Sequence, residues 1–331
     1  MTSVTTGELA QATTNGLEIS GNTLPLMVSP QQQGTPWQDC MAGIKGLVDR
    51  HLHQVGGLLL RGFRFNGEDG FEAFARDFGH DLLTYDYAST PRTRLNKGVY
   101  TSTEYPAHQV IPLHNEQSYT LQWPMKIWFH SVTVAESGGE TPIADSREVY
   151  RRIDSGLRQR FADKGLMYVR NYGNGLDLPW QQAFNTDERA DVERFCKANQ
   201  IDFEWKDNGE LKTRQRCQAV AQHPVTGEWV WFNQAHLFHI SNLAPQVRDT
   251  LLSVVGESEI PRHVYYGDGT PIETAALDEI RGVLDDVQVS FPWQAGDVMM
   301  LDNMLVAHGR GTYQGERKVV VAMAEPYSRP A

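Results

Sequence analysis

Cysteine is scarce in this chain of 331 residues: Cys40, Cys196 and Cys217 are odd in number and far apart. That excludes a disulfide framework and a cysteine-built zinc cluster, and it fits a reducing, cytoplasmic compartment. No stretch approaches 18 apolar residues, so no membrane span is expected. Long basic runs are also missing and the net charge is −11, which argues against binding to phosphate backbones and hence against nucleic acid as a partner. The start, MTSVTTGELAQATTNG, has neither a basic leader nor an apolar core, so residues 1–20 read as a flexible polar tail. There is no internal repeat and no low-complexity linker. Residues 21–331 are therefore expected to form one domain, and 40% hydrophobic residues supply ample core.

Strand signals dominate both ends of that domain. VGGLLLRGF (55–63), KIWFHSVTV (126–134) and the apolar runs of the last third read as strands, with HPVTG (223–227) as a tight turn between two short ones. Helical spacing appears in GFEAFARDFG (70–79). It returns in 146–165, where Ser146 is a candidate cap and Val149, Ile153, Leu157 and Phe161 share a face, and in 186–199, capped by Thr186 or Asp187. The fold expected is mainly β with α (α+β): a sandwich or barrel-like domain with a helical insertion around 146–200.

The chemistry is carried by IPLHNEQSY (111–119). His114 and Glu116 are two apart, so on a strand both would face the same way and reach one metal ion. His308 closes the apolar run MMLDNMLVAH, where an unpaired imidazole would be costly. Arg317 opens the strand RKVVVAM on one face with Val319, Val321 and Met323, and a guanidinium among such neighbours needs an anion. Two histidines and one carboxylate with open coordination positions make the facial triad of non-haem Fe(II) oxygenases.

The HNE, GGETPIADSR (138–147), HPVTGEWVWFN (223–233) and DNMLVAHGRGTYQGERKVVVAMAE (302–325) segments together resemble the TauD/TfdA superfamily of Fe(II)/2-oxoglutarate dioxygenases. They are most similar to its SyrP-like branch of peptide-antibiotic pathways, and the likeness spans roughly residues 50–325. The resemblance implies a double-stranded β-helix (jelly roll). It implies that His114, Glu116 and His308 hold Fe(II), and that Arg317, aided by Thr141, receives the distal carboxylate of 2-oxoglutarate, with O2 as co-reactant. Related halogenases have a small residue where Glu116 stands, so the carboxylate points to hydroxylation. Taurine dioxygenases carry a second arginine where this chain has Val321, which disfavours an alkylsulfonate.

An amino-acid-type substrate is expected instead, free or presented on a carrier protein, oxidised at an unactivated carbon in specialised-metabolite biosynthesis. Asn96, Tyr119 and Asn233 are candidates to orient it, and Asp302 is expected to support the His308 strand. The same centre could instead serve desaturation or cyclisation; a non-catalytic metal-binding jelly roll is the more distant reading. Other features have bland readings. HLH (51–53) sits at a helix end, His236 and His239 pack under the insertion, and GDGTPI (267–272) is a turn. The basic runs 92–97 and 212–216 are solvated faces or carrier-docking sites, and the tryptophans, Trp293 among them, are core.

Overall fold

The structure, a computed structural model, describes residues 12–328 except 15, 22, 85, 86, 88–91, 97 and 174. Its frame is a nine-stranded sheet. In order across the sheet the strands are Ala12–Thr14, Leu17–Ser20, Leu26–Pro30, Gly57–Leu60, Val298–Asp302, Gln122–Thr133, Lys318–Ser328, Val99–Thr101 and Arg94–Asn96. The central strands are apolar on both faces, and their alternation sorts the side chains into two cores. Trp128, Met300, Val320 and Ala322 face outward. There they meet the helix Trp37–Val55, which buries Trp37, Met41, Ile44, Leu47, Val48 and Leu52 at helical spacing. Ile127, Phe129, Met299, Leu301, Val319, Val321 and Met323 face the interior of the sandwich.

Opposite that inner face lies a three-stranded sheet of Ile143–Asp145, Val306–Arg310 and Ile111–His114. The two facing sheets are the jelly roll expected from the sequence. Between them in sequence comes an insertion with its own four-stranded sheet: Ile201–Trp205, Leu211–Cys217, Leu166–Tyr172 and Arg262–Tyr266. The insertion is thus not purely helical, and its last strand lies well beyond residue 200. No helix among the described residues is long and apolar enough to cross a membrane.

Three local expectations need correction. The single helix over 146–165 is two helices, Ser146–Arg152 and Ser155–Lys164. Asp145, not Ser146, caps the first, accepting from the amides of Arg147 and Glu148. Asp154 caps the second through the Leu157 amide, because an Asp-Ser pair satisfies a helix start better than a helix interior. All four predicted apolar residues are nonetheless buried. The helix expected over 186–199 runs Arg189–Ala198 with Glu188 at its N-cap position, so neither Thr186 nor Asp187 caps it; the Thr186 hydroxyl accepts from the Glu188 amide before the first turn. Finally, residues 17–20 are not tail. Leu17 is fully buried and Leu17–Ser20 pairs with Leu26–Pro30, while residues 1–11 lie outside the described residues.

Candidate active site

Two strands of the smaller sheet bring the imidazoles together. Ile111–His114 pairs with Val306–Arg310 so that His114 stands opposite His308, with ring centroids 4.6 Å apart. Gly309 is needed at this approach, since a Cβ there would lie 2.6 Å from the Ile111 carbonyl oxygen. Glu116 arrives differently from the expectation. The strand ends at His114, so the carboxylate is set by a turn rather than by the two-residue period of a strand. Asn303 holds that turn. Its Oδ1 accepts from the Glu116 amide at 2.7 Å, and its Nδ2 donates to the Glu116 and Pro124 carbonyls at 2.9 Å each. Asn115 donates to the Ser146 hydroxyl and the Asn303 carbonyl, and receives Gln234 Nε2 on its own carbonyl.

One ligand atom from each of His114, Glu116 and His308 lies within 4.8 Å of the other two, and His308 Nε2 is 3.8 Å from Glu116 Oε2. The donor set suits a divalent cation. His114 donates Nδ1–H to the Pro112 carbonyl at 2.8 Å, which leaves Nε2 with its lone pair. Burial lowers the pKa of both imidazoles, that of His308 strongly, so both are neutral donors at pH 7. Arg92 donates to Glu116 Oε2 at 2.7 Å and is buried there. It is neither a solvated face nor a docking residue, and nothing in the run 92–97 marks it. The run 212–216 lies on a strand with Thr213 and Gln215 buried, and none of its basic residues lines the cleft described below.

Beside the triad, a small cavity is lined by Arg317, Thr141, Ser102, Phe129, His114 and His308 among others. Arg317 donates Nε–H to the Gly139 carbonyl at 2.9 Å and reaches the Ser102 hydroxyl at 3.4 Å, but makes no salt bridge among the described residues. Burial, then the neighbouring Arg310, pushes its pKa down to about 10, so it stays a cation at neutral pH. A half-buried cation with no ion pair among the described residues, lining a cavity beside three metal-type donors, fits a dicarboxylic keto acid. Gly139 makes room for it: at φ +76° it has a conformation that disfavours side chains, and a Cβ would lie 3.0 Å from Arg317 Cδ. Thr141 Oγ1 accepts from Trp293 Nε1 at 3.1 Å, which leaves the hydroxyl hydrogen to be donated elsewhere. Sequence reasoning read Trp293 only as core.

Next to His114 and Glu116 opens a cleft of about 870 Å3, walled by residues from the segment 103–112, by Leu176, Asp177 and Arg262, and by residues from the segment 237–247. None of the three predicted substrate residues lines it. Asn96 bonds to Asp69 at a sheet edge, Tyr119 is buried with its hydroxyl on the Tyr87 carbonyl, and Asn233 is spent on the Ala219 carbonyl and Ala235 amide. Each satisfies a neighbour in the fold, and Gln234 rather than Asn233 reaches the cleft.

A second group, His53, His223 and Asp302, also has its ligand atoms within 4.8 Å. Its tautomer argues against a metal. His223 Nδ1 accepts from the amides of Val225 and Thr226, so Nε2 carries the hydrogen and gives it to Asp302 Oδ2 at 3.0 Å. The other Asp302 oxygen accepts from the Met304 and Leu305 amides. Asp302 therefore stiffens the turn that leads into the His308 strand.

Comparison with known proteins agrees with this architecture. The family model for taurine catabolism dioxygenase TauD, TfdA family, matches residues 26–323. The chain is 43% identical over 279 residues to the dapdiamide synthesis protein DdaC of Enterobacter agglomerans, covering 84% of this chain and 85% of that one. A clavaminate synthase-like protein of Arabidopsis thaliana is 29% identical over 295 residues, covering 85% of each. Among solved structures, PvcB of Pseudomonas aeruginosa superposes with a TM-score of 0.57 over 98% of both chains at 16% identity, a likeness of fold. The chain belongs to the TauD/TfdA family of non-haem Fe(II)/2-oxoglutarate-dependent dioxygenases.

Proposed function

We propose that His114, Glu116 and His308 hold the Fe(II), that Arg317 and the Thr141 hydroxyl grip the distal carboxylate of 2-oxoglutarate, and that the adjoining cleft binds an amino-acid-type substrate whose unactivated C–H is hydroxylated. The chemistry such a centre supplies is the O2-driven oxidative decarboxylation of 2-oxoglutarate to succinate and CO2, coupled to two-electron oxidation of the substrate. The protein's part is positional. Neutral imidazoles present lone pairs, Asn303 fixes the Glu116 turn, and Arg92 holds one Glu116 oxygen by a charge-assisted hydrogen bond. The cleft shares Arg92, Thr103, Ile111 and His114 with the cavity containing Arg317, so substrate and cosubstrate would meet beside the triad.

The observation that carries this reading is the half-buried Arg317 cation beside the triad, which makes no ion pair among the described residues. The dapdiamide synthesis relative supports a place in specialised-metabolite biosynthesis. The substrate is a free or carrier-bound amino acid, and Val321 supplies no counter-charge for a sulfonate. Adding Fe(II) and 2-oxoglutarate without oxygen should give the visible charge-transfer band of a chelated keto acid. Its absence from metal-replete protein would remove the proposal. Succinate release against free amino acids, then against the same acids as carrier thioesters, assigns the substrate form.

A further inference from the structure

The cleft wall formed by residues 237–247 contains a histidine whose hydrogen-bonding role is set by its neighbours. His239 Nδ1 accepts from the Ser241 amide at 3.1 Å and lies 2.8 Å from the Ser241 hydroxyl. That hydroxyl in turn accepts from Arg281 Nη2 at 2.9 Å, so its own hydrogen is directed to Nδ1. With Nδ1 occupied as an acceptor, a neutral ring must carry its hydrogen on Nε2. Nε2 bonds to no described residue and is not sealed from solvent, and His239 lines the cleft that also contains His114 and Glu116.

The groups packed around the ring keep it neutral. His263 stacks on it at 4.8 Å between centroids, Arg281 lies behind Ser241, and Asp278 and Glu257 are the opposing carboxylates. Burial first, then His263 and Arg281, holds the pKa down to about 4. The cleft is therefore offered an N–H that neither accepts nor becomes a cation near neutral pH.

We propose that His239 determines specificity: its Nε2–H, locked by Ser241 and Arg281, donates a hydrogen bond to a carboxylate or amide oxygen of the substrate in the cleft. This rests on the cleft being the substrate site of the dioxygenase. A fixed donor favours an oxygen acceptor at this position and disfavours an ammonium group, which would set hydrogen against hydrogen.

The test has two arms. In the first, 15N spectra of the imidazoles in unliganded enzyme should show His239 as the neutral Nε2–H tautomer from pH 5.5 to 8. An Nδ1–H tautomer, or titration near 6.5, overturns the proposal without any substrate being needed. In the second arm, Fe(II)/2-oxoglutarate enzyme is assayed for succinate release with free amino acids and their primary amides. His239→Phe should raise KM for the best probe about tenfold with kcat little changed, and His239→Gln, which keeps an N–H, should recover most of it. An unchanged KM in His239→Phe overturns the proposal. A loss confined to the acid identifies a carboxylate, and an equal loss with acid and amide identifies the shared carbonyl. The anaerobic charge-transfer band should persist in both variants; its absence from the parent enzyme would count against the dioxygenase reading and leave the tautomer result standing.

Discussion

Asn303 and Glu116 are joined by two hydrogen bonds in opposite directions, side-chain oxygen to backbone amide and side-chain amide to backbone carbonyl. A side chain in the turn leading into the His308 strand thus fixes the backbone of the Glu116 turn. Asn303→Leu should weaken Fe(II) binding about 10–100-fold, measured by anaerobic metal titration, while circular dichroism stays that of the parent. Unchanged metal affinity would mean that Glu116 is set by something else.

Gly139 lies against the arginine assigned to the cosubstrate. Gly139→Ala places a methyl 3.0–3.1 Å from Arg317 Cδ and Nε and forces a residue with a side chain to φ +76°. The strain costs about 1–2 kcal/mol, and the displaced guanidinium should raise KM for 2-oxoglutarate several-fold. Metal affinity should be untouched. A loss of Fe(II) binding equal to the loss of cosubstrate binding would show that the two subsites are not separable.

Trp293 acts on Thr141 by taking its lone pair. Trp293→Phe keeps most of the apolar bulk but removes the donor, so the hydroxyl is free to turn. KM for 2-oxoglutarate should rise by a factor of about 3–10, the worth of one hydrogen bond. Thr141→Val should do at least as much, and adding Trp293→Phe to it should cost little more for the cosubstrate. Additive effects in that double variant would break the link.

His236, His239 and His263 are each held down to about 4, by burial in every case. The unfolded chain binds these protons near 6.5 and the folded protein does not. Between those values the unfolded state holds more protons, so stability is lost as pH falls below about 6.5 and is fully present above it. Thermal unfolding of metal-free protein should give a Tm that falls from pH 6.5 toward pH 4.5. Replacing His263 with Phe should flatten that fall, and an unchanged slope would exclude His263 as a contributor.

The parts legible in the sequence were those in which residue type alone carries the chemistry. Histidine, glutamate and arginine at the ends of apolar runs stand out because burying them needs a reason, and the structure brings all four to one place. The strand pattern of the sandwich was legible for the same reason of burial. What the sequence hid depends on partners distant in the chain. Arg92 looks like any surface arginine until Glu116 is beside it, and Trp293 looks like core until Thr141 is seen. Asn96, Tyr119 and Asn233 misled because a polar residue near a motif is as readily consumed by a neighbouring backbone group as offered to a ligand. The helix over 146–165 was overextended because its apolar period runs unbroken through Asp154, although the backbone does not.

The pairing of the His308 strand with the His114 strand also bears on how the protein is made. During synthesis the early segment leaves the ribosome with its histidine and glutamate long before their partner exists. A redox-active ion cannot be fully enclosed until the closing strands have emerged and docked. With the proposed ligand set, nascent or truncated chains would offer at most a loose, two-donor site, and loading with iron would follow completion of the sandwich.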